Sequence, residues 1–154
     1  MMLDEQLSPH FTLREFLRSE TAARRGIDNL PSSEIIHTLE RNAVNMERVR
    51  QLLGVPLQIS SGYRCLDLNR AIGSKDTSAH VEGRATDFEA PEFGPPIDIC
   101  RSIYASDILY DQLIYEHSWV HIAWPRVDAA PRRSVLTLMP GGTYAAGIVQ
   151  RGIA

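Results

Sequence analysis

Apolar residues recur at steps of three and four through Ile35, Ile36, Leu39, Ala43, Met46, Val49 and Leu53. That spacing draws one buried stripe along a helix, and it is the clearest periodic signal in the chain. Pro31-Ser32-Ser33 predicts where this helix begins and Gly54 where it stops. An earlier helix is predicted from the capping-box pattern Thr12-Leu13-Arg14-Glu15, running to about Arg25 with Gly26 as its end.

After Gly54 the period shortens. Leu57 to Ser60 alternates behind Pro56 and predicts a strand, and Thr86 to Glu89 predicts another. A short helix is expected over Asp67–Ile72, then a loop rich in Gly, Ser and Thr over Gly73–Ala85. Pro95-Pro96 opens a helix with Ile97, Cys100, Ile103 and Tyr104 on one face. Gln112–Glu116 and Trp119–Trp124 are predicted strands around His117-Ser118, and Val135–Leu138 a last strand before the Pro140-Gly141-Gly142 turn and a small-residue tail. Helices first and strands second give an α+β class, with N-terminal helices packed on a small antiparallel sheet.

Length and composition narrow the classes. A chain of 154 residues with 44% apolar and 23% charged residues is expected to fold as a single domain over 1–154. Sixteen basic against nineteen acidic residues leave a net charge of −3, so neither nucleic acid nor an anionic membrane is expected as partner. No window approaches the ~18 apolar residues of a membrane span. Residues 1–20 hold Asp4, Glu5, Arg14, Glu15, Arg18 and Glu20 without an apolar run, which predicts synthesis in the cytoplasm without a signal peptide. Two Cys build neither a disulfide framework nor a four-Cys zinc site, so a metal site would have to mix His with carboxylates.

Three stretches offer that chemistry. His80 in the loop and Asp87 on the following strand have six residues between them, and His121 lies on a later strand. Two nitrogens and one oxygen with an open fourth position are the ligand set of a catalytic zinc. Strand parity puts Gln112, Ile114 and Glu116 on one face, and Trp119, His121 and Ala123 on one face. A two-residue turn sets Glu116 opposite Trp119 and diagonal to His121; a four-residue loop sets it directly opposite. Either register brings a carboxylate to the side where a general base belongs.

Each residue also has a plainer reading. Asp87 reads as a turn cap, Glu116 as an edge-strand charge, and Arg64 as a surface ion-pair partner. His10 and His37 read as structural or solvated, and His117 as solvated or lining a cleft. Cys65 and Cys100 read as buried thiols, Asp111 as a turn carboxylate or a support for a ligand His, and Trp119 as core or cleft wall.

Taken together, Ser60-Ser61-Gly62-Tyr63-Arg64, Ser78-Ala79-His80-Val81-Glu82-Gly83-Arg84-Ala85-Thr86-Asp87 and Trp119-Val120-His121 resemble the M15 family of zinc peptidases. The pattern is SGYR, SxHxxGxAxD and WxH, over a motif-bearing core of about 57–124. It looks most like the branch of D-Ala-D-Ala carboxypeptidases and phage peptidoglycan peptidases. The resemblance implies a hedgehog/DD-peptidase-like fold and a Zn2+ cofactor held by His80, Asp87 and His121. It implies Glu116 as acid–base residue, five positions before the last ligand, and Arg64 and Ser78 at the substrate. The implied substrate is the stem peptide of bacterial peptidoglycan, cut by a carboxypeptidase or an endopeptidase. A monomer acting at the wall or periplasm after release, or carried on a virion, is expected, as is the absence of a separate wall-binding domain in the short tail. A non-catalytic zinc- or peptide-binding module, or a virion structural component of the same fold, is the alternative.

Overall fold

The structure is a computed structural model that describes residues 2–150. It opens with a small hairpin absent from the sequence expectations, β1 (Gln6–Ser8) against β2 (Phe11–Thr12). Glu47 on the long helix accepts hydrogen bonds from Ser8 Oγ (2.6 Å) and from His10 N (2.7 Å), and faces His10 Nδ1 at 2.6 Å. His10 therefore has a structural part.

The expected helix from Thr12 to Arg25 divides into α1 (Leu13–Leu17) and α2 (Glu20–Arg25). Arg18 is extended at φ −62° and ψ 131°, and Ser19 restarts the helix by accepting the Ala22 N–H at 3.1 Å. The cap competes with continuation and wins. Gly26 stops α2 in the left-handed region, as expected. The long helix α3 (Ser33–Leu53) keeps its predicted bounds, with the Ser32 hydroxyl on the Ile35 N–H and Gly54 at φ 72°. Leu39, Ala43, Met46, Val49 and Leu53 are buried on its inner stripe.

The remaining elements are β3 (Gln58–Ser61), α4 (Leu66–Ala71), a 3-10 turn (Ala79–Glu82), β4 (Ala85–Glu89), α5 (Pro96–Tyr104), β5 (Gln112–Tyr115), β6 (Val120–Ala123), β7 (Ser134–Leu138) and β8 (Tyr144–Ala146). One sheet runs β3-β4-β6-β5-β7-β8. It is not wholly antiparallel: β5 and β7 pair in parallel. The cause is the path of residues 124–133, which carries the chain from β6 to the free side of β5. There Arg133 N–H meets Tyr110 O (3.2 Å) and Ser134 N–H meets Asp111 O (3.0 Å), so β7 starts level with β5 and runs the same way. The small-residue tail supplies a further strand, β8, after a turn in which Gly141 and Gly142 take φ 85° and 86°.

One sheet face turns toward the core through Phe88, Leu113, Val120 and Ile122, which join Leu39, Met46 and Val49 of α3 in a single apolar cluster. Helix α5 adds Ile99, Cys100 and Ile103, while Tyr104, expected on that face, is exposed. Mixed helix and strand around this cluster agree with an α+β class. Among the described residues no helix is long and apolar enough to cross a membrane.

Candidate metal centre

On the other sheet face, strand alternation collects the chemistry. Asp87 of β4 is the direct partner of His121 on β6 and also the partner of Ser61 on β3. Side chains of such cross-strand partners stand on the same face. His80 enters from the 3-10 turn. His80 Nε2 lies 3.2 Å from Asp87 Oδ1, His121 Nδ1 lies 2.9 Å from the same oxygen, and the two ring nitrogens are 3.3 Å apart. Among the described residues these three form a group able to hold a metal ion.

The donor set fits a cation. Gly62 O can only accept, so the 2.6 Å contact makes His80 Nδ1 the donor and leaves Nε2 a lone pair when the ring is neutral. Burial pushes the His80 pKa below its ordinary value, against the pull of Asp87. Burial also disfavours charge on Asp87, yet the imidazoles of His80 and His121 outweigh it and hold the carboxyl well below the usual range. Asp87 thus calls for a positive charge that buried His80 is poorly suited to carry. Two nitrogens and one carboxylate oxygen match the protein ligands of a catalytic zinc site.

His80 is positioned by backbone. Ser78 Oγ accepts the His80 N–H at 3.2 Å, and Gly83 at φ 78° ends the turn. The Arg64 N–H meets His80 O at 3.1 Å. Gly62 is required by close approach: a Cβ there would lie 2.6 Å from Phe16 O and 2.8 Å from Phe16 Cα. This glycine therefore packs against α1 and orients the ligand ring through one carbonyl.

Three buried asparagines missing from the sequence reading hold the surrounding loops. Asn42 Nδ2 donates to Gly83 O (3.1 Å) and Ala85 O (3.2 Å), while its Oδ1 accepts from Thr86 Oγ1 (2.8 Å) and Trp124 Nε1 (3.0 Å). It fixes the segment between the first two candidate ligands. Asn29 donates to Leu17 O and Tyr63 O and accepts from Cys65 N. Asn69 donates to Lys75 O and accepts from Arg64 Nε at 3.1 Å. The available signal was a polar residue on the buried stripe of α3, three positions after Leu39.

Glu116 follows β5 directly. Its N–H meets Trp119 O at 3.2 Å, and the ladder pairs Tyr115 with Val120 and Ile114 with His121. The two-residue register therefore holds, and Glu116 is diagonal to His121. His117 turns the chain at φ 65°, with Ser118 N–H on Glu116 O at 2.8 Å, and its Nε2 donates to Leu138 O at 2.7 Å. Glu116 is half-buried; burial and the Asp87 charge raise its pKa, while His121, His117 and Arg64 pull it down. A half-buried carboxylate on the ligand face, its pKa raised by burial, is a group able to exchange a proton there.

Arg64 is held by Asn69 and, at 3.5 Å, by Ser61 Oγ. Burial lowers its pKa against the charges of Asp87 and Glu116. Together with Ser61, Arg64 lines one side of a 1090 Å³ groove beside β3 that also includes Arg18, Arg24 and Gln58. The Ser78 hydroxyl is engaged as the cap of the His80 turn.

Other candidates lie apart. Asp111 pairs with Arg132 at 2.9 Å, which makes it a turn carboxylate. His37 is exposed, Cys65 is half-buried rather than buried, and burial pushes the Cys100 thiol up to about 12. Trp119 is 36% exposed on the His121 side of the sheet and is not a core position.

A family model described as Peptidase M15 matches residues 9–123. That span includes Gly62, Arg64, His80, Asp87, Glu116 and His121. No curated protein matches the chain.

Proposed function

The chain belongs to the M15 peptidase family, and on that premise we propose that it is a zinc-dependent metallopeptidase hydrolysing peptide bonds of bacterial peptidoglycan stem peptides. The observation that carries this reading is the convergence of His80, Asp87 and His121, with Glu116 on the same sheet face.

His80 Nε2, an Asp87 oxygen and His121 Nδ1 would hold the ion. When bound, zinc supplies Lewis-acid chemistry, polarising a carbonyl and lowering the pKa of water to roughly 7. Glu116 takes a proton from the attacking water and passes it to the leaving amine. Asp87 stays ionised beside the ring nitrogens. Arg64, with donors left over from Asn69 and Ser61, grips a substrate carboxylate or carbonyl, and stem peptides carry both groups. Ser78 holds the His80 turn and lies two residues from that ligand, at the edge of the substrate path.

The reading includes a hedgehog/DD-peptidase-like arrangement in one domain, a monomer, and action at the wall or periplasm after release or on a virion. Within it, a phage- or prophage-type wall-degrading endopeptidase and a D-Ala-D-Ala carboxypeptidase are the two specificities. The second reading, a zinc- or peptide-binding module without turnover, lacks a use for Glu116. Mass spectrometry of muropeptides after digestion separates these. An internal cut supports an endopeptidase, loss of a terminal D-Ala supports a carboxypeptidase, and unchanged muropeptides with retained zinc support the module.

A further inference from the structure

We infer that Tyr144 of β8 is a substrate-contacting residue of the same cleft, donating its phenol O–H to an oxygen of the bound peptide. This rests on the peptidase reading above and names a contact from outside the segment the family match spans, which ends at residue 123.

The ladder carries the placement. Ile114 pairs with His121 on one side and with Leu136 on the other, and Leu136 pairs with Ala146. One row across the sheet is therefore Asp87, His121, Ile114, Leu136 and Ala146. Two residues along, Leu138 pairs with Tyr144, and Tyr115 pairs with Thr137, so the next step of the ladder sets Glu116 beside Leu138. Alternation then gives Tyr144 the face of Glu116 and His121. Burial agrees: Thr137, on the opposite face, is fully buried, while Tyr144 is 50% exposed.

Reach and fixation follow. Two strand spacings of ~4.8 Å separate the β5 and β8 backbones, so Tyr144 and Glu116 stand on one face with a gap between them that a bound peptide can bridge. Burial, and after it the charges of Glu116 and Asp87, raise the pKa of the phenol, so it remains a donor at neutral pH. Arg64 is under the same two charges from the β3 side, so the two donors address one centre from opposite sides. The strand is tied down: Thr137 Oγ1 donates to Gly147 O (2.8 Å) and accepts from Val149 N (2.9 Å). Met139 N–H meets Thr143 O at 2.8 Å, and His117 Nε2 bonds Leu138 O. A half-exposed aromatic donor held at that position is suited to orient a peptide.

The test is binding of a soluble stem peptide to zinc-loaded protein in the slow Glu116→Gln background, with and without Tyr144→Phe. Loss of one hydrogen bond is expected to weaken binding about fivefold, with zinc content and Tm unchanged. In otherwise wild-type protein, Tyr144→Phe should raise KM more than it lowers kcat. Affinity and KM within twofold of the parent overturn the contact, as does a loss accompanied by lower Tm or zinc, which marks a structural role. If the parent protein neither binds nor cleaves stem peptides, the peptidase reading fails and the contact falls with it.

Discussion

Asp87 and His121 face each other across the β4–β6 ladder, and Asp87 Oδ1 meets His121 Nδ1 at 2.9 Å. Strand pairing alone sets this pair, so two of the three candidate ligands are fixed before any ion binds. The third member comes from the turn at His80. Elemental analysis of the purified protein should find about one zinc per chain. His80→Ala or His121→Ala should reduce that to near zero while the strands persist by circular dichroism.

Glu116 has no part in that ligand set but shares its face. Glu116→Gln should keep the zinc and lower kcat by about 10²–10⁴-fold, the usual contribution of a general base. Normal turnover in this variant, measured by single-turnover kinetics, would move the base elsewhere.

Gly62 joins packing to chemistry. A methyl group there meets Phe16 O at 2.6 Å, and the Gly62 carbonyl orients His80. Gly62→Ala should cost about 1–3 kcal/mol, seen as a fall in Tm of about 2–4 °C per kcal/mol. Zinc affinity should fall by about 10–100-fold. An alanine at Gly26, with nothing within 4 Å of its Cβ, should leave zinc affinity intact.

Asp111 anchors the 124–133 connection through Arg132, whose guanidinium holds the carboxyl below its usual value near 3.8. A depressed carboxyl contributes stability that is present in full above its unfolded pKa and is lost as pH falls through the folded value. Asp111→Asn should therefore lower stability by about 1 kcal/mol at pH 7. The gap between variant and parent should close as thermal melts are taken to pH values below 3.8.

Much of this was legible in the residues. The stripe of α3, its caps and the parity of β5 and β6 followed from periods of 3.6 and 2, and those parities set Glu116 on the His121 side. The break at Arg18 was hidden because Ser19 acts as a cap only if the preceding residue is extended. The parallel pairing of β7 was hidden too, since it depends on a crossing path that no local period records. Asn29, Asn42 and Asn69 act through backbone groups 6–43 residues away in sequence, a kind of contact that composition and spacing do not encode.

The central claim is zinc-dependent cleavage of a wall peptide with Glu116 as base. It is tested most directly by mass spectrometry of stem peptides incubated with zinc-loaded, chelator-treated and Glu116→Gln protein. The account predicts a new peptide fragment with the zinc-loaded parent, its loss on chelation, its return on adding zinc, and almost none with the variant. Equal cleavage by all three preparations, or no cleavage by the zinc-loaded parent, would contradict it.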